Sequence, residues 1–125
     1  MSSWQDILDV GLLRPGEITQ AAIVGQDGEV WAESAGCNMT EQERGAIVQG
    51  FGTYPVREIV VGGRKYATTM GCLDMILAKR KDGGGCVVKK TGQSVIVAEY
   101  ISTADVMTAL ALVERLADYL ISRGY

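Results

Sequence analysis

The stretch VREIVVGGRKYATTMGCLDMILAKRKDGGGCVVKKTGQSVIVAEY (residues 56–100) decides the fold. Its β-prone runs are Val56 to Val61, Lys65 to Met70, Leu73 to Ala78, Cys86 to Lys90 and Val95 to Tyr100. Gly62-Gly63, Asp82-Gly83-Gly84-Gly85 and Thr91-Gly92-Gln93 punctuate them. Parallel neighbours would need long crossovers, whereas antiparallel ones need only a turn. Gaps this short predict an antiparallel meander. Asp82 to Gly85 is not a phosphate loop, since it lacks the GxxxxGK[ST] pattern and precedes a strand rather than a helix.

Working outward, Ile18 to Val24 reads as a strand, Gln26-Asp27-Gly28-Glu29 as a turn, and Val30-Trp31-Ala32 as the return strand of a hairpin. Thr40-Glu41-Gln42-Glu43 is a capping box before a short helix with Ala46, Ile47 and Phe51 on its apolar face. At the N-terminal end Ser3 and Asp6 fit a cap, and Trp4, Ile7, Leu8, Gly11 and Leu12 recur at helical spacing until Arg14-Pro15-Gly16. Thr103 to Ser122 is predicted as a helix with a stripe of Val106, Leu110, Val113, Ala117 and Leu120. The order helix, hairpin, short helix, meander, helix predicts one α+β domain over residues 1–125, with helices covering an antiparallel sheet.

Composition narrows the function. Of 125 residues, 47% are hydrophobic and 22% charged, as in an ordinary globular domain. No apolar run approaches the roughly 18 residues a membrane-spanning helix needs. The start MSSWQDILD lacks a basic leader segment, so a cytoplasmic location is expected. Cys37, Cys72 and Cys86 are an odd set without CxxC spacing, which signals neither a disulfide framework nor a zinc site and predicts buried or semi-buried thiols. There is no histidine, so the usual base of nucleophilic triads and the usual metal ligand are missing. No nucleophile–base pair stands out, and neither an enzyme nor a cofactor nor a metal site is expected. A net charge of −3 argues against nucleic acid, although Lys79-Arg80-Lys81 and Lys89-Lys90 gather positive charge locally.

Bulky aromatics at both ends of the chain, Trp4 and the pair Tyr119 and Tyr125, need a reason, because termini are usually frayed and polar. Either they fill core beneath docked terminal helices, or they form an exposed platform between those helices. A platform of flat rings suits a proline-rich segment, which is already ordered as a polyproline II helix.

Four segments in order, Ser3-Trp4-Gln5, TQAAIVGQDGEVWAESAG (19–36), KKTGQS (89–94) and VERLADYLISRGY (113–125), resemble profilin, the small actin-monomer-binding family, and are most similar to its amoebal and plant members. The resemblance implies a central antiparallel sheet with the N- and C-terminal helices on one face and a short helix on the other. It also implies separate sites for proline-rich ligands and monomeric actin. Carried over by residue, the proline-rich site comprises Trp4, Ile7, Trp31, Tyr119, Leu120 and Tyr125. At Ile7 the family usually has a tyrosine, so this chain keeps apolar area but loses a ring and a hydroxyl. Trp31, on a strand beside Gly25, has core filling as its competing reading.

The resemblance places actin candidates at Lys65, Thr68, Arg80, Lys81, Lys89, Asp105 and Arg115, where basic residues would steer encounter with an acidic partner. It implies phosphoinositide binding as well, for which Lys79, Arg80, Lys81, Lys89 and Lys90 supply the basic cluster. The implied role is a monomeric, cytoskeleton-associated adaptor that carries actin to filament assemblers displaying proline-rich segments. A small ligand-sensing or dimerisation module, with Trp31 and Tyr119 buried around an internal cavity, is the alternative from the residues alone.

Overall fold

The computed structural model describes residues 3–52, 56–101 and 105–125. Seven strands form one sheet: β1 (Ile18–Gly25), β2 (Val30–Glu33), β3 (Glu58–Val61), β4 (Arg64–Gly71), β5 (Met75–Lys79), β6 (Gly85–Lys90) and β7 (Ser94–Tyr100). Their order across the sheet is β2-β1-β7-β6-β5-β4-β3, and every neighbouring pair is antiparallel. The meander is therefore β3 to β7, and the N-terminal hairpin joins it through β1 against β7. The choice of β7 for that junction follows from its sequence, SVIVAEY, which is buried along its whole length. A strand apolar on both faces belongs between two cores, not at an edge.

Among the described residues three α-helices cover the sheet: α1 (Trp4–Leu8), α2 (Glu41–Val48) and α3 (Val106–Ser122). Residues 103 and 104, expected to begin the last helix, lie outside the described residues. Asp105 caps α3 instead, accepting from the Met107 N–H at 2.9 Å. Along β7 alternate side chains serve different cores. Ile96, Ala98 and Tyr100 pack with Leu8, Leu12, Val113, Leu116 and Leu120 under the terminal helices. Val95 and Val97 pack with Ile47, Ile59, Val61, Tyr66 and Ile76 on the face that α2 covers. The fold is the expected α+β arrangement, with α1 and α3 on one face and α2 on the other.

Local details depart from expectation for physical reasons. The Ser3–Asp6 capping box forms, but α1 runs into a π-helical turn over Asp9–Leu13, closed by Arg14 N–H to the Asp9 carbonyl at 2.8 Å. This wider turn keeps both Leu8 and Leu12 buried while turning Val10 out to 51% exposure. The α2 stripe is narrower than predicted. Ala46 faces solvent, and Phe51, beyond the helix end, packs on the core from the following loop. The first and third meander strands also start later than expected, because Val56 bonds back to Gly50 and Leu73 lies exposed in the β4–β5 turn.

Two polar ties brace the α2 face. The Glu43 carboxylate completes the α2 capping box and also accepts from the N–H groups of Gly62 and Gly63, both at 2.9 Å. Those glycines turn from β3 to β4 with φ of 57° and 82°, where a side chain would be strained. The second tie joins Arg64 of β4 to Glu99 of β7. The guanidinium grips the buried carboxylate with two bonds of 2.7 and 2.9 Å, and the Tyr66 hydroxyl donates to the same group. Strands β5 and β6 lie between, about 14 Å of flat sheet. One arginine spans that distance only because the sheet curls.

Candidate functional site

The rings of Trp4 and Trp31 stand 4.7 Å apart at 40°, and Tyr125 meets Trp4 edge-on at 4.8 Å and Trp31 at 5.8 Å. Three elements position them. The Ser3 cap starts α1 so that Trp4 projects from its first turn, edge strand β2 carries Trp31, and the residues after α3 bring in Tyr125. Gly25 makes room, since a side-chain carbon there would lie 2.8 Å from the Trp31 indole nitrogen. The rings are half-buried or exposed, not enclosed, with Tyr119 at 40% and Tyr125 at 39% exposure. This removes the reading of Trp31 and Tyr119 around an internal cavity. Ile7 is half-buried at the groove edge, whereas Leu120, at 1% exposure, is core that floors the groove.

Ser3, Trp4, Ile7, Tyr119, Leu120, Arg123 and Tyr125 line an open groove of about 500 Å³. Sequence reasoning missed Ser3 and Arg123, whose guanidinium lies 5.2 Å from the Tyr119 ring centre. It also missed how Tyr125 is held. The Tyr125 main-chain oxygen accepts from the Thr91 hydroxyl at 2.9 Å and from the Gln93 N–H, and its own N–H bonds the Leu120 carbonyl. Thr91 is itself fixed, accepting from the Ser94 N–H at 3.1 Å in a buried pair. The KKTGQS segment thus acts as a bracket for the aromatic platform; its signal was the compact Thr-Gly-Gln-Ser turn.

The basic candidates do not form one patch. Lys65, Lys79, Arg80 and Lys81 share a depression of about 480 Å³ with Glu58, Ala67 and Asp82. Lys89 pairs with Met75, at the opposite end of β5 from Lys79 and about 13 Å along the strand. There it lies between Asp74 at 3.0 Å and Glu114 at 3.4 Å. Partial burial opposes its charge, but those two carboxylates hold the Lys89 ammonium above its ordinary value, and the Lys89 bond in turn holds Asp74 below the usual carboxylate range. Lys90, one residue on, turns to the other face of the sheet over the Phe51 ring. Period-two alternation separates neighbours in a strand, so grouping these two lysines was a misreading.

The remaining candidates are scattered. Arg80 is held by Asp82 at 2.6 Å and stacks 5.7 Å from the Tyr66 ring centre. Thr68 is half-buried on β4, its hydroxyl without a partner among the described residues, and Asp105 is occupied as the α3 cap. Arg115 lies away from the meander, in a second groove beside α1. Cys86 is buried with its thiol well above the ordinary range, and burial pushes Cys37 up to about 12. Cys72, expected to be at least semi-buried, is exposed in the β4–β5 turn. Among the described residues no group of three or more acidic, cysteine or histidine side chains is placed to hold a metal.

A curled antiparallel sheet whose terminal helices flank an open, ring-lined groove defines a small α+β module of one domain. The profilin family model matches residues 2–125. Profilin-A of Physarum polycephalum is 40% identical over 126 residues, covering 98% of this chain and 99% of that protein. The chain belongs to the profilin family. The solved structure of Acanthamoeba castellanii profilin IB superposes with a TM-score of 0.91 at 33% identity, covering 98% of this chain and all of that one. The same fold recurs in mouse profilin IIa solved with a double repeat of the mDia1 FH1 domain, at TM-score 0.76 and 24% identity, covering 99% of this chain and 100% of that one. It recurs in LokiProfilin2 solved with rabbit actin, at 0.77 and 18%, covering 98% of each.

Proposed function

We propose that this protein is a non-catalytic, cytoplasmic adaptor of the actin cytoskeleton that binds actin monomers on one surface and proline-rich segments on another. The observation that carries the proline-rich half is the solvent-facing cluster of Trp4, Trp31 and Tyr125 beside Tyr119 and Ile7. Flat rings at mutual angles present both faces and edges to a polyproline II ligand, which loses little entropy on docking. The mouse relative with an FH1 repeat and the LokiProfilin2 complex with actin support the two partner classes.

The actin surface is assigned to the outer meander strands, with Lys65, Arg80 and Lys81 as the steering charges and Thr68, Lys89 and Asp105 as further contacts. A phosphorylated inositol head group would sit at Lys65, Lys79, Arg80 and Lys81, which share one depression. Lys89 and Lys90 fit that role poorly, because Lys89 lies at the opposite end of β5 from Lys79 and Lys90 is on the other face of the sheet. Titration with polyproline, followed by tryptophan fluorescence, tests the reading. A saturable change is expected. A spectrum that does not respond at millimolar proline would overturn it.

A further inference from the structure

The aromatic groove does not end at Tyr119. A second groove of about 380 Å³ continues from it, lined by Asp6, Ile7, Val10, Gly11, Arg115, Leu116 and Tyr119. Ile7 and Tyr119 line both grooves, so they form a ridge between two subsites of one channel. From the platform the channel runs forward along the N-terminal segment, Trp4 to Val10, and backward along α3, Arg123 to Arg115. At about 1.5 Å per helical residue its α3 wall is about 12 Å long, or roughly four residues of polyproline II at about 3.1 Å each.

Beyond the ridge the chemistry changes. No ring lines the second subsite except Tyr119 itself. Its floor is Leu116 and Gly11, its rim the outward-turned Val10, and Arg115 stands exposed with no ion pair or hydrogen-bond partner among the described residues. The carboxylate across it, Asp6, is already engaged by the Ser3 N–H at 3.3 Å in the helix cap.

We propose that this second subsite reads the flank of a proline-rich ligand, accepting an acidic side chain against Arg115. The proposal rests on the platform reading above. Arg115 and Tyr119 are four residues apart on α3, about 6 Å, which places the acid about two residues beyond the proline stacked at Tyr119. The pair would be solvent-exposed, so it tunes selectivity between proline-rich sequences more than it holds the ligand.

The test uses hexaproline alone and hexaproline carrying Ala-Glu or Ala-Lys, with the two added residues placed after the prolines in one set and before them, in reverse order, in another. Affinity is read by fluorescence titration at low salt. In one orientation the glutamate peptide is expected to bind about threefold to fivefold more tightly than the lysine peptide. In Arg115→Glu the preference should invert, in Arg115→Gln it should vanish, and in 1 M salt it should shrink for the parent protein. Equal binding of the two peptides in both orientations would overturn the proposal, as would a preference that persists in Arg115→Glu. Failure of hexaproline itself to bind at any concentration would instead overturn the platform reading, and this inference with it.

Discussion

Trp4 touches both other rings of the platform, so its loss should be felt in ligand binding more than in folding. Trp4→Ala is expected to weaken polyproline binding about tenfold or more, since an aromatic pair contributes about 0.5–1.5 kcal/mol beyond the area it buries. Actin binding should stay near the parental level; a parallel fall in both activities at unchanged melting temperature would show that the sites are not separate. Ile7→Tyr should act in the opposite direction. Ile7 is half-buried on the ridge, so a phenol there can lie along the channel and offer a donor to a proline carbonyl. Tighter polyproline binding without a large drop in melting temperature is the expected result. The aromatic residues were legible in the sequence because they stand in the segments that carry the family resemblance. The hold on Tyr125 was not, because it runs through main-chain atoms and a threonine 34 residues away. Thr91→Val keeps the shape and removes that donor, leaving the Tyr125 main-chain oxygen with the Gln93 N–H alone. It should weaken polyproline binding several-fold, with Thr91→Ser restoring most of it.

The capping boxes of α1 and α2 were readable from three-residue spacings, because a helix start is a local event. Its second use at Glu43 was not, since the β3–β4 turn that meets the same carboxylate is set by the sheet. Partial burial pushes Glu43 upward, but the N–H donors of Thr40, Gly63 and Gly62 prevail and leave it below the usual carboxylate range. A carboxylate depressed by folding stabilises fully above its ordinary value of about 4.3. That stability is lost as pH falls through the lower folded value. Glu43→Gln should therefore lower stability at pH 7 by about 1 kcal/mol, and the deficit should narrow as the solution is acidified towards pH 3. Chemical denaturation at several pH values checks this. Strand existence was likewise local and legible, whereas the place of β7 between β1 and β6 depended on which strand could be apolar on both faces. The Arg64–Glu99 tie follows from that order and could not be foreseen without it. Arg64→Ala would strand a buried carboxylate and should cost about 3–5 kcal/mol, read from the urea midpoint.

At the scale of the molecule, the sheet separates the acidic chain into surfaces of different character. Arg80→Glu with Lys81→Glu reverses four charge units in the depression shared with Lys65 and Lys79. It should slow actin association and weaken phosphoinositide binding, both most strongly at low salt, while sparing uncharged polyproline. Parental actin association in low salt by the folded double variant would show those charges to be solubilising only. The basic residues were legible as a composition, but not as a surface, because the pleat sends Lys89 and Lys90 to opposite sides. The ring contact of Trp4 with Tyr125, at 4.8 Å, has a separate consequence. Residues 4 and 125 are neighbours in space, so the path of the backbone is nearly a closed circuit. Circular permutation should then be tolerated: a short linker joining residue 125 to residue 3 and a new opening at the Asp27-Gly28 turn would leave every strand its neighbours. The architecture is a property of the circuit and not of the point at which the chain enters it.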